Sequence, residues 1–128
     1  MSATLTSLRI RNLALVEEMT WETAPGFVAI TGETGAGKSI LIGALTLVLG
    51  ERADKELIRT GAENCSVEAV FENADDERIS TLLDNHGAEP CEDGRLLIKR
   101  VVSLNSPGKQ FVNGSPCTLA LLRSLGDL

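Results

Sequence analysis

The chain opens on two short alternations of apolar and polar residues and then changes period. Leu8 and Ile10 alternate with Ser7, Arg9 and Arg11, the two-residue repeat of a strand with one wet face. Past Asn12-Leu13-Ala14-Leu15, Met19 and Trp21 alternate with Glu18, Thr20 and Glu22, which predicts a second strand. Pro25-Gly26 predicts a turn, and Phe27-Val28-Ala29-Ile30-Thr31 is a continuous apolar run suited to a strand buried on both faces. From Lys38 to Leu49 the period lengthens. Ile40, Leu41, Ala44, Leu45, Val48 and Leu49 recur at three- and four-residue spacings, which predicts a helix packed under a sheet. Gly50 is placed to cap it. Residues 52–61 read as a polar connection carrying one apolar pair, Leu57-Ile58.

The second half reads as a β-rich lobe. Val67, Ala69 and Phe71 alternate with Ser66, Glu68 and Glu72, so a strand is expected there. Asp76 to Asn85 predicts a short helix with Ile79, Leu82 and Leu83 inward. Arg95 to Ser103 predicts another strand, with Lys109 to Asn113 pairing back on it across Asn105-Ser106-Pro107-Gly108. Asn113-Gly114 is a tight-turn dipeptide, and Thr118 is placed to cap a last helix carrying Leu119, Leu122 and Leu125. The stop at Leu128, directly after that helix, predicts that residues 1–128 are one piece of a longer chain.

Composition narrows the classes. A chain of 128 residues, 43% apolar and 23% charged, can build one domain with a core and is not a disordered tail. No apolar run approaches the roughly 18 residues of a membrane span, and Met1 to Ser7 lacks a basic segment followed by an apolar one. A cytoplasmic protein without a membrane partner is expected. The three cysteines, Cys65, Cys91 and Cys117, are widely spaced and suit buried or half-buried free thiols better than a disulfide framework or a zinc site. His86 suits a solvated helix end. Asp75-Asp76-Glu77 and the acids between Glu89 and Asp93 suit loop and helix-start charges. The net charge of −6 argues against coating duplex DNA by charge alone, because that affinity grows with the number of phosphates neutralised.

One segment carries chemistry. Gly32-Glu33-Thr34-Gly35-Ala36-Gly37-Lys38-Ser39 fits the phosphate-binding loop pattern, with an apolar strand expected before it and a helix after it. Gly32, Gly35 and Gly37 admit backbone conformations closed to residues with a Cβ and let the chain approach phosphate closely. The loop amides then form an anion nest, reinforced by the start of the following helix. Lys38 supplies a cation for the β- and γ-phosphates, and the Ser39 hydroxyl is a ligand for Mg²⁺ bridging them. ATP with Mg²⁺ is therefore the expected cofactor pair. Hydrolysis also needs an acidic residue near the metal and a group that orients the attacking water. No apolar strand ends in Asp-Glu, and no Leu-Ser-Gly-Gly sequence is present. Leu82-Leu83-Asp84 is the nearest approach to such a strand, and Ser80-Thr81 interrupts it. A GTPase reading lacks Asn-Lys-x-Asp, and Asp84-x-x-Gly87 follows a helix instead of a strand. A small kinase would want an arginine-bearing lid, for which only Arg95 and Arg100 offer themselves, both inside an expected strand. A non-catalytic module that binds nucleotide or a partner remains the other alternative.

Several segments together resemble the RecN family of bacterial DNA repair proteins. They are Ser7-Leu8-Arg9-Ile10-Arg11-Asn12-Leu13-Ala14-Leu15, the loop at 31–39, Leu49-Gly50-Glu51-Arg52-Ala53, Ile58-Arg59-Thr60-Gly61, and Phe111-Val112-Asn113-Gly114 followed by Thr118-Leu119 and Leu122-Arg123. The resemblance covers nearly the whole chain. It implies an α/β (α+β mixed) P-loop NTPase of ABC/SMC-head type, this chain being the N-terminal half with a β-rich lobe around the P-loop helix. Such a head is assembled from the two ends of a long chain joined through a coiled coil. The implied partners are thus a C-terminal half of the same head, a second head in a homodimer, and DNA through the full-length protein, in double-strand break repair and nucleoid association. Glu33, Thr34 and Ala36 then contribute loop backbone. Arg11 and Asn12 fall where these heads approach the adenine side, a solvated strand end being the alternative. Arg52 and Arg59 fall where γ-phosphate, partner head or DNA is faced, surface arginines being the alternative. Leu13 stands where the family often has Phe, and the glutamine of the Mg²⁺-sensing loop is expected beyond Leu128. Gln110, inside an expected hairpin, does not replace it.

Overall fold

The computed structural model describes residues 4–14, 16–22, 35–53, 55–74 and 76–127, with side chains described from residue 41 onward in the first helix. The expected turn at Pro25-Gly26 and strand at Phe27–Thr31 lie outside the described residues. The elements are β1 (Thr4–Leu13), β2 (Val16–Glu22), α1 (Gly35–Val48), a short 3₁₀ turn (Lys55–Leu57), β3 (Asn64–Glu72), α2 (Glu77–Asn85), β4 (Leu96–Ser103), β5 (Lys109–Val112), β6 (Ser115–Pro116) and α3 (Leu119–Gly126).

The two alternations that open the chain and the β-rich second half form one sheet, ordered β2-β1-β3-β4-β5-β6. Every pairing in it is antiparallel. β1 is an inner strand that pairs with β2 on one side and with β3 on the other. A two-residue alternation allows this, because a strand can hydrogen-bond along both edges while facing a core on one side only. Leu8 stands opposite Ala69, which stands opposite Ile98 and then Val112, and all four are buried. The helices cover this face. α1 contributes Ala44, Leu47 and Val48, α2 contributes Ile79 and Leu83, and α3 contributes Leu121, Leu122 and Leu125. Leu47 and Leu121 join the core beyond the positions that helical spacing singled out.

Two irregularities shape β1. The register against β3 shifts between Leu5 and Ser7, and the Thr6 hydroxyl donates to the Val70 carbonyl at 3.2 Å, so the extra residue is still anchored. At the other end Asn12 has φ 56°, a left-handed conformation that Asn tolerates better than most residues. This breaks the alternation. Leu13 is buried, and it bridges Ile58 of the connection after α1. The pair Leu57-Ile58 is thereby split, with Ile58 in the core and Leu57 exposed.

The remaining local features follow the sequence. Asp76 caps α2 by accepting from the Arg78 N–H at 2.8 Å, and the Thr118 hydroxyl accepts from the Leu121 N–H at 3.2 Å at the start of α3. Asn113 and Gly114, both at positive φ, turn β5 into β6. The Asn113 side chain also accepts from the Leu97 N–H at 3.0 Å and donates to the Glu89 carbonyl at 2.9 Å, which ties the acidic loop to the sheet. His86 is the exposed C-cap of α2. Cys65 is buried, Cys91 and Cys117 are half-buried, all three are free thiols, and burial pushes each thiol above its ordinary pKa.

Candidate nucleotide-binding site

α1 begins at Gly35, so Gly35-Ala36-Gly37-Lys38-Ser39 form its first turns. Gly32, Glu33 and Thr34, and the side chains of Lys38 and Ser39, lie outside the described residues. The first amides of any helix lack intrahelical acceptors and mark the positive end of its dipole. No acidic residue stands in the first turn of α1 to neutralise that end, whereas Asp76 and Glu77 occupy the start of α2. An N-terminus of this kind suits an anion.

The opposite end of α1 is closed in detail. Gly50, at φ 93°, donates to the Leu47 carbonyl at 3.0 Å, and Glu51 donates to the Thr46 carbonyl at 3.1 Å, the paired bonds of a Schellman cap. A Cβ at Gly50 would lie 2.8 Å from the Arg123 backbone nitrogen, so glycine is required for space as well as conformation. Two arginines complete the closure. Arg100 of β4 is buried and donates from Nη1 to the Leu47 carbonyl at 2.8 Å and also to the Glu51 carbonyl. Arg123 of α3 donates from Nε to the Gly50 carbonyl at 3.0 Å. Burial, and then the neighbouring Arg123 charge, hold the Arg100 pKa below its ordinary value. The negative end of the helix dipole is what makes two adjacent cations tolerable there.

The other candidate residues divide between two places. Asn12 and Arg59 are brought together, the Arg59 N–H donating to the Asn12 carbonyl at 2.8 Å, while the Ala14 N–H donates to the Leu57 carbonyl at 2.6 Å. Arg11, exposed, is beside them and opposite Glu18 on β2. Arg52 is exposed beyond the C-terminal end of α1, which separates it from Gly35 by about 21 Å of helix. Of the two arginines available for a lid, Arg95 pairs with Glu72 at 3.5 Å on the surface and Arg100 is turned into the core. The role of Arg100 at the end of α1 was missed by reading periods. The signal was present: Leu96, Ile98, Arg100 and Val102 share the inward register of β4, and a cation in that register requires a buried acceptor.

The AAA domain family matches residues 7–113 of the chain, a stretch that holds the loop, α1 and the sheet from β1 to β5. The chain belongs to the AAA domain family. Among curated relatives, it is 39% identical over 120 residues to the DNA repair protein RecN of Streptomyces coelicolor, covering 94% of this chain and 21% of that protein. It is 39% identical over 124 residues to RecN of Vibrio cholerae, covering 97% and 22%, and 34% identical over 124 residues to RecN of Bacillus subtilis, covering 97% and 21%. The RecN resemblance read from the sequence therefore extends along the chain. The chain spans about a fifth of the length of these relatives. Solved structures show the fold. The SMC head domain of Thermotoga maritima superposes with a TM-score of 0.69 at 22% identity, over 95% of this chain and 41% of that one. The SMC head domain of Pyrococcus yayanosii, with coiled coil and joint, gives 0.72 at 23% identity, over 98% and 25%. The recombination mediator RecF gives 0.69 at 19% identity, over 94% and 29%. The fold of this AAA-family chain is thus an α/β P-loop NTPase of SMC/ABC-head type.

Proposed function

We propose that the chain is the ATP-binding N-terminal part of a RecN-like ATPase head that acts in DNA double-strand break repair. The observation that carries the reading is the junction of the sequence at 32–39 with the start of α1, whose first turn holds no acidic residue and whose far end is fixed in the core. In this reading the amides of residues 32–39 hold the phosphates, the Lys38 ammonium balances their charge, and the Ser39 hydroxyl is the protein's ligand to Mg²⁺. The metal, when bound, neutralises phosphate charge. Arg11 and Asn12 lie toward the adenine side. Arg52 and Arg59, which follow α1, face γ-phosphate, a partner head or DNA, Arg59 also holding the Asn12 carbonyl through its backbone N–H.

Hydrolysis is assigned to a complete head, in which a C-terminal half supplies the acidic and signature elements and two heads close on ATP. The long relatives support this, since the chain matches about a fifth of each. DNA contact and nucleoid association belong to that larger protein. A small kinase is not favoured, because neither Arg95 nor Arg100 is free to form a lid.

The test is Mg²⁺-ATP titration of the 128-residue chain, followed by thermal unfolding and by the fluorescence of Trp21, the single tryptophan. A ligand that binds only the native state stabilises it by roughly 2.7 kcal/mol at a hundred times its dissociation constant. The expected result is a saturable rise in midpoint, lost in Lys38→Ala, with no turnover by the chain alone. Absence of any shift at millimolar ATP overturns the binding reading. Steady hydrolysis abolished by Lys38→Ala overturns the division of labour between halves.

A further inference from the structure

Arg100 is the one charged side chain buried in the core among the described residues, and its bonds use only part of its guanidinium. Nη1 donates to the Leu47 and Glu51 carbonyls. Nε and Nη2 have no acceptor among the described residues. They are not sealed off either, because Trp21 Nε1 alone among the described residues is a fully enclosed side-chain polar atom without a partner. Both atoms open on the cavity that Arg100 borders. This space of about 260 Å³ lies between β4, the loop from β4 to β5, the segment after α1 and the start of α3, and Ala53, Ser103, Gly108, Gln110 and Leu119 wall it. Half-buried Gln110 stands directly opposite Arg100 on the neighbouring strand. Gly108 lets the loop lie close to β4, where a Cβ would run into the Val101 carbonyl.

A buried cation needs a counter-charge. Among the described residues no ion pair joins Arg100 to an acid, and the neighbouring Arg123 has the same sign. The nearby Cys65 thiol is pushed above its ordinary pKa by burial and is neutral near pH 7. Water in the cavity would satisfy the N–H groups and leave the charge uncompensated. Nε and Nη2 share one edge of the planar guanidinium, the fork that takes two oxygens of a phosphate or carboxylate. The volume is below the roughly 300–1,000 Å³ of clefts for drug-sized ligands and leaves room for one small anion. The Leu47 carbonyl is about 18 Å along α1 from Gly35, so this cavity is not the phosphate loop. We propose that it is a second anion site, in which a small oxyanion of the phosphate type sits on the Nε–Nη2 edge of Arg100 beside Ser103 and Gln110. The Ser103 hydroxyl and the Gln110 amide add donors of the kind an oxyanion requires. The proposal stands independently of the nucleotide-binding reading.

The experiment titrates inorganic phosphate, without nucleotide or Mg²⁺ and at constant ionic strength, into the 128-residue chain and into Lys38→Ala. The second protein removes the loop as a source of phosphate binding. Backbone amide NMR shifts locate the anion, and thermal unfolding reads the stabilisation. The expected result is a set of saturable shifts at Ser103, Gly108 and Gln110 that persists in Lys38→Ala, with a raised midpoint. Arg100→Lys keeps the charge and loses the fork, so phosphate affinity at the cavity should fall about tenfold. Gln110→Glu sets a carboxylate across the strand pair from Arg100. It should raise the midpoint without phosphate and abolish the cavity shifts, and it carries the test if Arg100→Lys does not fold. Shifts confined to residues 32–39 and lost in Lys38→Ala overturn the site. So do cavity shifts that chloride reproduces at equal ionic strength, or that survive in Gln110→Glu.

Discussion

The two ends of α1 are built on opposite principles. At the start, the first turn carries no acidic residue. α2 and α3 begin with Asp76 and Thr118 capping their free amides, while α1 begins in a run of glycines with no acidic residue in its first turn. At its end α1 is satisfied several times over, by the Gly50 and Glu51 N–H groups and by Arg100 and Arg123. The difference teaches where stability and function are stored. A first turn without acidic residues leaves the positive end of the helix dipole for an anion, while the other end is anchored in the core.

Substitutions at the two ends should therefore separate. Arg100→Leu is expected to destabilise the chain by about 1–3 kcal/mol, because the buried Leu47 carbonyl and the part-buried Glu51 carbonyl lose the guanidinium bonds. Denaturant unfolding measures it, and a cost below about 0.5 kcal/mol would mean that water replaces the guanidinium without loss. Lys38→Ala should leave unliganded stability within about 0.5 kcal/mol of wild type while removing the stabilisation by Mg²⁺-ATP. A large loss without ligand would show that the start of α1 is structural after all.

Thr118→Ala tests an ordinary capped start and should cost about 1 kcal/mol, read as a lower unfolding midpoint. The smallest effect concerns Asp76. The Arg78 guanidinium, and then the Arg78 backbone N–H, hold its carboxyl below the usual carboxylate pKa. A depressed native pKa gives stability that is complete above the unfolded value and is lost as pH falls through the native one. The advantage of wild type over Asp76→Asn should accordingly be constant near neutrality and shrink below about pH 3.9. A gap that persists unchanged in stronger acid would assign the effect to cap geometry instead of charge.

Much of the fold was legible because its residues repeat at the period of the element they form. Leu8 and Ile10, Val67 to Phe71, and Ile79 with Leu83 all face the core as their spacing required. Asn113-Gly114, Asp76 and Thr118 announced their roles through side-chain chemistry that acts over three or four residues. The pattern at 32–39 is equally local, and its chemistry belongs to the proposed function. Arg100 was not, because its partners Leu47 and Glu51 are 53 and 49 residues away and offer only backbone carbonyls, which every residue has. The break in β1 at Asn12 was hidden likewise, since the buried place of Leu13 depends on the segment around Ile58 that covers it.

The sequence by itself determined β1 to β5, the three helices and the caps at Gly50, Asp76 and Thr118, all of which depend on neighbours within a few residues. Only the tertiary structure decided that β1 joins β2 to β3 in a single sheet, that Arg59 meets Asn12, and that the end of α1 is gripped from both β4 and α3. Those outcomes rest on bonds to backbone carbonyls and on close packing at Gly50. The alternation of β4 turns Arg100 inward but cannot name what it meets, because a carbonyl has no residue identity and a close approach has no period.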